Sequence, residues 1–540
     1  MRYPSASHLL TVICFFSLAG CSPQKYSEKF QEGLVYCSES DPLSMNPQLD
    51  TSTTTADATA HQIYDRLLEF DTETGRIQPS LASEWSVSED GLIYRFTLRP
   101  DVVFHSTAYF TPTRPFNASD VVFSFNRWRL TEHPFHRVSG GYYPYFESLG
   151  LASNIADIRQ ISSNEVEIAL FERDSSFLAN IASDFSVILS AEYADYLMSM
   201  GTPEELDEFP IGTGPYQYQS YKKDHYIRYN ANPSYWRGQP DSNTLIFDIT
   251  PKSSLRLAKL MTGECDAIAF PARVDHEIIR ERDDLVLAEK AGLNIGFWAF
   301  NTERPPFDNP DVRKALAYAI DKNTLLEAVY FDSATRARSL LPAASWAYQA
   351  DADDTGYNPV LARKLLDNAG VPPGFTMNVW AIPVERAYNP NAKKMAELIQ
   401  NYLAEIEVNV NIVSYDWTTF RRLLREGNHD SVLIGWSADN GDPDNFYRPL
   451  LSCDAIPSGT NRARWCEPAY DEILDKALQT EDIEVRKALY LQANQLIFEK
   501  LPLVPIAHAY RYQAYRKELN GMIINPFGGV RLGGVTKPRD

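Results

Sequence analysis

From Asn309 to Trp436 the chain alternates helix-period and strand-period stretches, and this alternation restricts the region to an α/β architecture. Asn309 is positioned to cap a helix, and Pro310 follows at its first position, where a missing N–H costs nothing. Val312, Ala315, Leu316, Ala319 and Ile320 then keep the i, i+3, i+4 spacing of an amphipathic helix. A second helix is predicted over 392–403, an alternating strand over 408–413 (VNVNIV) and a third helix over 417–426. A short apolar strand, 431–436 (SVLIGW), leads into a polar loop. Such alternation predicts a largely parallel sheet. Ahead of Gly292 strand patterns dominate, at 34–36, 92–98 (LIYRFTL) and 166–170 (VEIAL), with a helix from Asn117 to Trp128. We therefore divide the chain into a first lobe over 33–291 and a second over 292–508, with 509–540 returning to the first. A chain that leaves a lobe and comes back makes two hinge connections, as a clamshell needs.

The N-terminus carries an export signal. Met1 and Arg2 precede an apolar run, Leu9 to Leu18 (LLTVICFFSL). Spanning a bilayer takes about 20 such residues, so the run reads as the core of a secretory signal peptide over 1–21. Leu18-Ala19-Gly20-Cys21 resembles a bacterial lipobox. That resemblance predicts cleavage before Cys21, lipid on its thiol, and a polar tether over 22–32. The mature body is expected to be soluble and periplasmic, held at a membrane by lipid alone.

Cysteine usage agrees with export. Without Cys14 and Cys21, four cysteines remain: Cys37, Cys265, Cys453 and Cys466. Four cysteines allow three pairings, and an oxidising compartment permits them. Cys453 and Cys466 flank a short polar loop and are placed to close it, which would leave Cys37 for Cys265. The formal net charge of -20 disfavours nucleic acid as a partner.

Signatures of catalysis are missing. The chain has no GxSxG elbow and no phosphate-binding P-loop. His276-Glu277 begins a zinc-type helix motif, but Arg280 stands where the second His is required. The acidic loop Asp439-Asn440-Gly441-Asp442-Pro443-Asp444 fails the calcium-loop spacing, with Leu450 in place of the closing Glu. The expectation is a binding protein, not an enzyme, with no metal and no cofactor.

Several strings are shared with a known family. They include Tyr36-Cys37-Ser38-Glu39, Asn46-Pro47-Gln48-Leu49, Leu81-Ala82-Ser83-Glu84-Trp85, and Pro210-Ile211-Gly212-Thr213-Gly214-Pro215-Tyr216. Trp380-Ala381-Ile382-Pro383 and Gly435-Trp436 through Asp444-Asn445-Phe446 continue the series. In this order they resemble the periplasmic dipeptide- and oligopeptide-binding proteins, extracellular solute-binding family 5. Arg448-Pro449-Leu450-Leu451-Ser452-Cys453 and Asn525-Pro526-Phe527-Gly528 resemble its Sap peptide-transport subgroup.

The resemblance implies an α/β clamshell of two lobes with an extra subdomain inserted in the first. It implies a monomer that closes on a peptide ligand and delivers it to an inner-membrane ABC permease. Cationic antimicrobial peptides are one ligand class of the subgroup, and haem is an alternative carried by lipoprotein members. It also assigns roles. Asp439 would pair with the ligand's α-amino group, Arg386 would meet its carboxylate, Trp436 would wall the pocket, and Thr51 would line it from the first lobe.

Overall fold

A computed structural model describes residues 33–71, 75–525, 527 and 529–538. The predicted signal peptide, the tether and Cys21 lie outside these residues. Among the described residues no helix is long and apolar enough to cross a membrane.

The mixed α/β chain folds into two lobes joined by one continuous strand ladder of 12 strands. In the first half, Leu34–Ser38 pairs in parallel with Thr244–Ile249 and Ala267–Ile268. The antiparallel strands Tyr226–Ala231 and Tyr216–Lys222 extend that edge. In the second half, Thr376–Ala381 lies parallel between Asn409–Val413 and Ser431–Ser437. Asn294–Phe300 then runs antiparallel to Ser431–Ser437. The second-lobe sheet is therefore mixed, where the alternating pattern predicts a largely parallel one. Parallel pairing holds only across 376–437, where helices form the crossovers that parallel strands need. Asn294–Phe300 reaches its neighbour through no such crossover.

The strand Leu503–Arg516 joins the halves. Residues up to Ala509 pair with Asn294–Phe300 and Ala334–Arg336. From Tyr510 onward the partners are Leu285–Ala291, and then Ala267–Ile268. A separate four-stranded antiparallel sheet, Ala82–Val87, Ile93–Leu98, Glu165–Leu170 and Ile155–Ser162, forms the inserted subdomain. The helix Ala118–Arg129 packs on it.

Local chemistry sets the helix starts. Asn117 accepts the Ser119 N–H at 2.9 Å, and Asp120 reaches back to the Asn117 N–H at 2.9 Å, a capping box. Asn309 accepts the Asp311 N–H at 2.9 Å and starts the helix Pro310–Tyr318. Helix Ala392–Glu405 turns Met395, Ala396, Ile399 and Leu403 into the core. Both disulfides form, Cys37–Cys265 with Cα atoms 5.9 Å apart and Cys453–Cys466 at 4.5 Å. The first sits in a small apolar cluster with Val35, Ile246, Leu260 and Ile279.

Candidate functional site

Where the lobes meet, a narrow internal cavity of about 60 Å³ draws its walls from both. Thr51, Asp184 and Phe185 line it from the first lobe, and Arg386, Trp436 and Asp439 from the second. All four residues singled out in the sequence thus reach one cavity.

The strand Ser431–Ser437 carries Trp436 to the cavity, and the loop after it carries Asp439. Asn445, at the start of the helix Asp444–Leu451, ties this corner down. Its Oδ1 accepts the Asp439 N–H at 2.9 Å and the Trp436 indole N–H at 3.4 Å. Gly296 and Gly435 face each other on adjacent strands. A Cβ on Gly435 would stand 2.4 Å from the Tyr388 ring, and one on Gly296 would stand 2.2 Å from the Tyr388 carbonyl oxygen. The two glycines form a flat platform on which Tyr388 closes the cavity floor.

Charges in the site fall into paired and unpaired sets. Arg486 holds Asp442 at 2.8 Å, and Arg448 holds Asp444 at 3.0 Å. These two acids of the loop are thereby neutralised. Asp439 is different: its Oδ2 is buried and has no hydrogen-bond partner among the described residues. Burial, followed by the nearby Asp184 carboxylate, pushes its pKa well above the ordinary carboxylate range. Asp184 itself is occupied by His61 at 2.9 Å and Arg66 at 3.3 Å. No cluster of three or more His, Cys, Asp or Glu side chains suited to a metal occurs among the described residues.

Arg386 is committed in part. Its Nη1 donates to Glu39 at 2.6 Å across the lobes, both side chains being buried. Its Nη2 is buried without a partner among the described residues. Its guanidinium lies 5.2 Å from the Trp417 ring centre. Thr51 is tied to the second lobe, its hydroxyl accepting from Arg421 at 3.4 Å beside the Arg421–Asp50 bridge of 2.8 Å.

Sequence reading did not single out Arg421 and Arg462, which also line the cavity. Arg462 is 9% exposed, and among the described residues its guanidinium has no carboxylate partner and donates no hydrogen bond. Burial first, and Arg421 next, draw its pKa down to about 9. The available signal was the arginine pair of Asn461-Arg462-Ala463-Arg464, enclosed by the cysteines at 453 and 466.

A carboxylate with a buried, unpartnered oxygen and a guanidinium with no acid partner, both facing one cavity between the lobes, suit a dipolar ligand. Each charge is costly until an opposite charge meets it.

Known proteins share this architecture. The chain is 43% identical over 503 residues to the dipeptide-binding protein of Escherichia coli K12, covering 93% of this chain and 94% of that one. It is 42% identical to the peptide transport periplasmic protein SapA of Salmonella typhimurium, over 94% of this chain and 92% of that one. It is also 42% identical to heme-binding protein A of Haemophilus influenzae, over 93% and 92%. Among solved structures, a dipeptide-binding protein from Pseudoalteromonas sp. SM9913 in complex with Met-Leu superposes with a TM-score of 0.92 at 49% identity, over 94% of this chain and 100% of that one. The model of bacterial extracellular solute-binding proteins, family 5 Middle, matches residues 76–458. The chain belongs to the bacterial extracellular solute-binding proteins of family 5, whose members here are binding proteins and not enzymes.

Proposed function

We propose that this protein captures short peptides with a free amino terminus between its lobes and delivers them to an inner-membrane ABC permease, without chemistry of its own. One observation carries the reading: the unpaired, buried Oδ2 of Asp439 in the cavity between the lobes. A peptide ammonium meets that need in charge and in hydrogen-bonding capacity. The Met-Leu complex of a 49% identical structure and the dipeptide- and peptide-binding relatives support the same reading. Trp436 and Thr51 act as walls, and Arg386 acts at the carboxylate side through its free Nη2. The body works as a monomer of two lobes divided near Gly292, with 509–540 returning to the first. Export removes residues 1–20, and lipid on Cys21 tethers the body at the periplasmic face of a membrane.

Calorimetric titration of the refolded, ligand-free protein with Met-Leu tests the ligand assignment. Tight binding that falls by roughly 30-fold or more in Asp439→Asn is the expected result. The haem-binding relative at 42% identity supports a second ligand on the same fold. Haem bound tightly by both forms, with no peptide bound by either, would replace the peptide reading. Intact mass of the membrane-extracted protein tests the anchor: a diacylglyceryl adduct on an N-terminal Cys21 is expected, and an unmodified chain removes it.

A further inference from the structure

Beyond the narrow inner cavity lies a second, wider one of about 780 Å³. Exposed residues at its rim, among them Leu43, Gly140 and Arg425, open it to solvent. Arg421 and Arg462 line both cavities and so form the wall between them. The cations and acids around this wall do not balance. Arg421 is neutralised by Asp50 at 2.8 Å, and the exposed Arg422 by Glu426 at 2.8 Å. Arg425 lies over the Tyr142 ring at 4.4 Å. Of the acids on the outer wall, Asp50 belongs to Arg421, Asp207 is bound to Arg127 at 2.5 Å, and Glu208 is exposed at the rim. Arg462 is left with no acid of its own among the described residues.

Its backbone is held in place. The buried ring of His429 bonds the Arg462 carbonyl oxygen through Nε2 at 2.8 Å. The neighbouring Asn461 side chain donates to the carbonyls of Ser452 at 2.9 Å and Trp465 at 2.8 Å. The Cys453–Cys466 disulfide closes the loop around both. A guanidinium held at a cavity wall without an acid partner is free to meet an anion, and its planar fork fits a carboxylate through two parallel bonds.

We propose that Arg462 is an anion subsite at the passage between the two cavities, and that it takes an acidic side chain of the ligand while Asp439 takes the ammonium and Arg386 the C-terminal carboxylate. The inference rests on the peptide reading above and narrows it to peptides that present a carboxylate at this passage. An acidic side chain supplies that group, since the C-terminus falls to Arg386. Arg421 and Arg422 on this route are already paired with acids, which leaves Arg462 as the cation that reads the side chain.

Calorimetry with wild type, Arg462→Met and Arg462→Lys tests the subsite. The ligands are Met-Leu, Met-Leu amide, Met-Glu, Met-Gln and, as a bare dicarboxylate, glutarate. Wild type is expected to prefer Met-Glu over Met-Gln by roughly 30-fold or more, and Arg462→Met erases that preference while leaving the preference for Met-Leu over its amide. Loss of the amide preference in Arg462→Met, with no Met-Glu preference in wild type, would overturn the side-chain assignment. Arg462→Lys keeps part of the Met-Glu preference, and ligand-free Arg462→Met melts no lower than wild type. Equal discrimination of Met-Glu from Met-Gln by wild type and Arg462→Met overturns the subsite. So does a loss of thermal stability in Arg462→Met with unchanged discrimination, which marks a structural residue. Should wild type bind no peptide yet bind glutarate through Arg462, the peptide reading fails and the subsite stands. Failure to bind either removes both.

Discussion

Asp439 combines a place in the cavity between the lobes with a cost. Its carboxyl is held well above the ordinary range by burial first and Asp184 second, so the ligand-free protein keeps a proton there that free Asp would have lost. A peptide ammonium in contact favours the ionised form and draws the pKa down. The complex therefore binds fewer protons than the free protein, and affinity rises with pH until the free-state pKa is passed. Met-Leu titrated over a series of pH values above the ordinary carboxylate range, in buffers of different ionisation enthalpy, should report proton release within the window that the raised pKa opens, and Asp439→Asn should release none at this site. Proton uptake on binding would contradict the assignment. Gly435 gives a second residue-scale prediction. A methyl there meets Tyr388 at 2.4 Å, so Gly435→Ala should cost about 1–3 kcal/mol in denaturant unfolding and weaken peptide binding with it. Asp439 and Trp436 were legible because they lie on a motif. The unpaired state of Arg462 was not, because it depends on which acids the fold brings near, and those lie far away in the chain.

Elements were legible where one local signal decided them. Asn391 accepts the Lys394 N–H at 2.9 Å and begins the helix Ala392–Glu405, at the residue where the periodicity placed its start. Removing that cap in Asn391→Ala should cost about 1 kcal/mol, read by urea unfolding, with peptide affinity unchanged. Elements set by distant partners were harder to read. The sequence of Leu503–Arg516 reads as apolar and then strand-like again, but its 14 residues form one strand that changes partners between Ala509 and Tyr510. Nothing local encodes that change, since the partners come from 267–268, 285–291, 294–300 and 334–336. The parallel character of the second sheet was overread for the same reason. Helix and strand alternation reports crossovers, while the antiparallel neighbour Asn294–Phe300 arrives from elsewhere in the chain. The Cys453–Cys466 bridge is an element-scale device that serves the site. It closes a loop with a sequence separation of 13 that carries Thr460 and Arg462 to the cavity. Replacing both cysteines by Ala should cost about 3 kcal/mol of stability, again read by urea unfolding.

At the scale of the whole molecule, polar contacts link the two lobes. Glu39 meets Arg386 at 2.6 Å, Asp50 meets Arg421 at 2.8 Å, and Asn180 meets Asn440 at 3.0 Å. Arg256 of the first lobe also reaches Glu385 at 2.9 Å. Contacts of this kind suit a hinge that must reopen, because each group can exchange its partner for water. The Glu39–Arg386 pair is the one among them with both charges buried, and removing one partner leaves a bare charge inside. Glu39→Gln should therefore shift the ligand-free protein toward an open form, seen as a larger radius of gyration in solution scattering, which ligand reverses. An unchanged radius would show that the bridge does not bias closure. The central claim is that a buried carboxylate at Asp439 recognises a peptide's free amino terminus. Titration of wild-type protein with Met-Leu and with N-acetyl-Met-Leu tests it most directly. The account predicts tight binding of Met-Leu and a loss of roughly 100-fold or more on acetylation, since a neutral amide cannot pay for the ionised carboxylate. Equal affinity for the two peptides would contradict it.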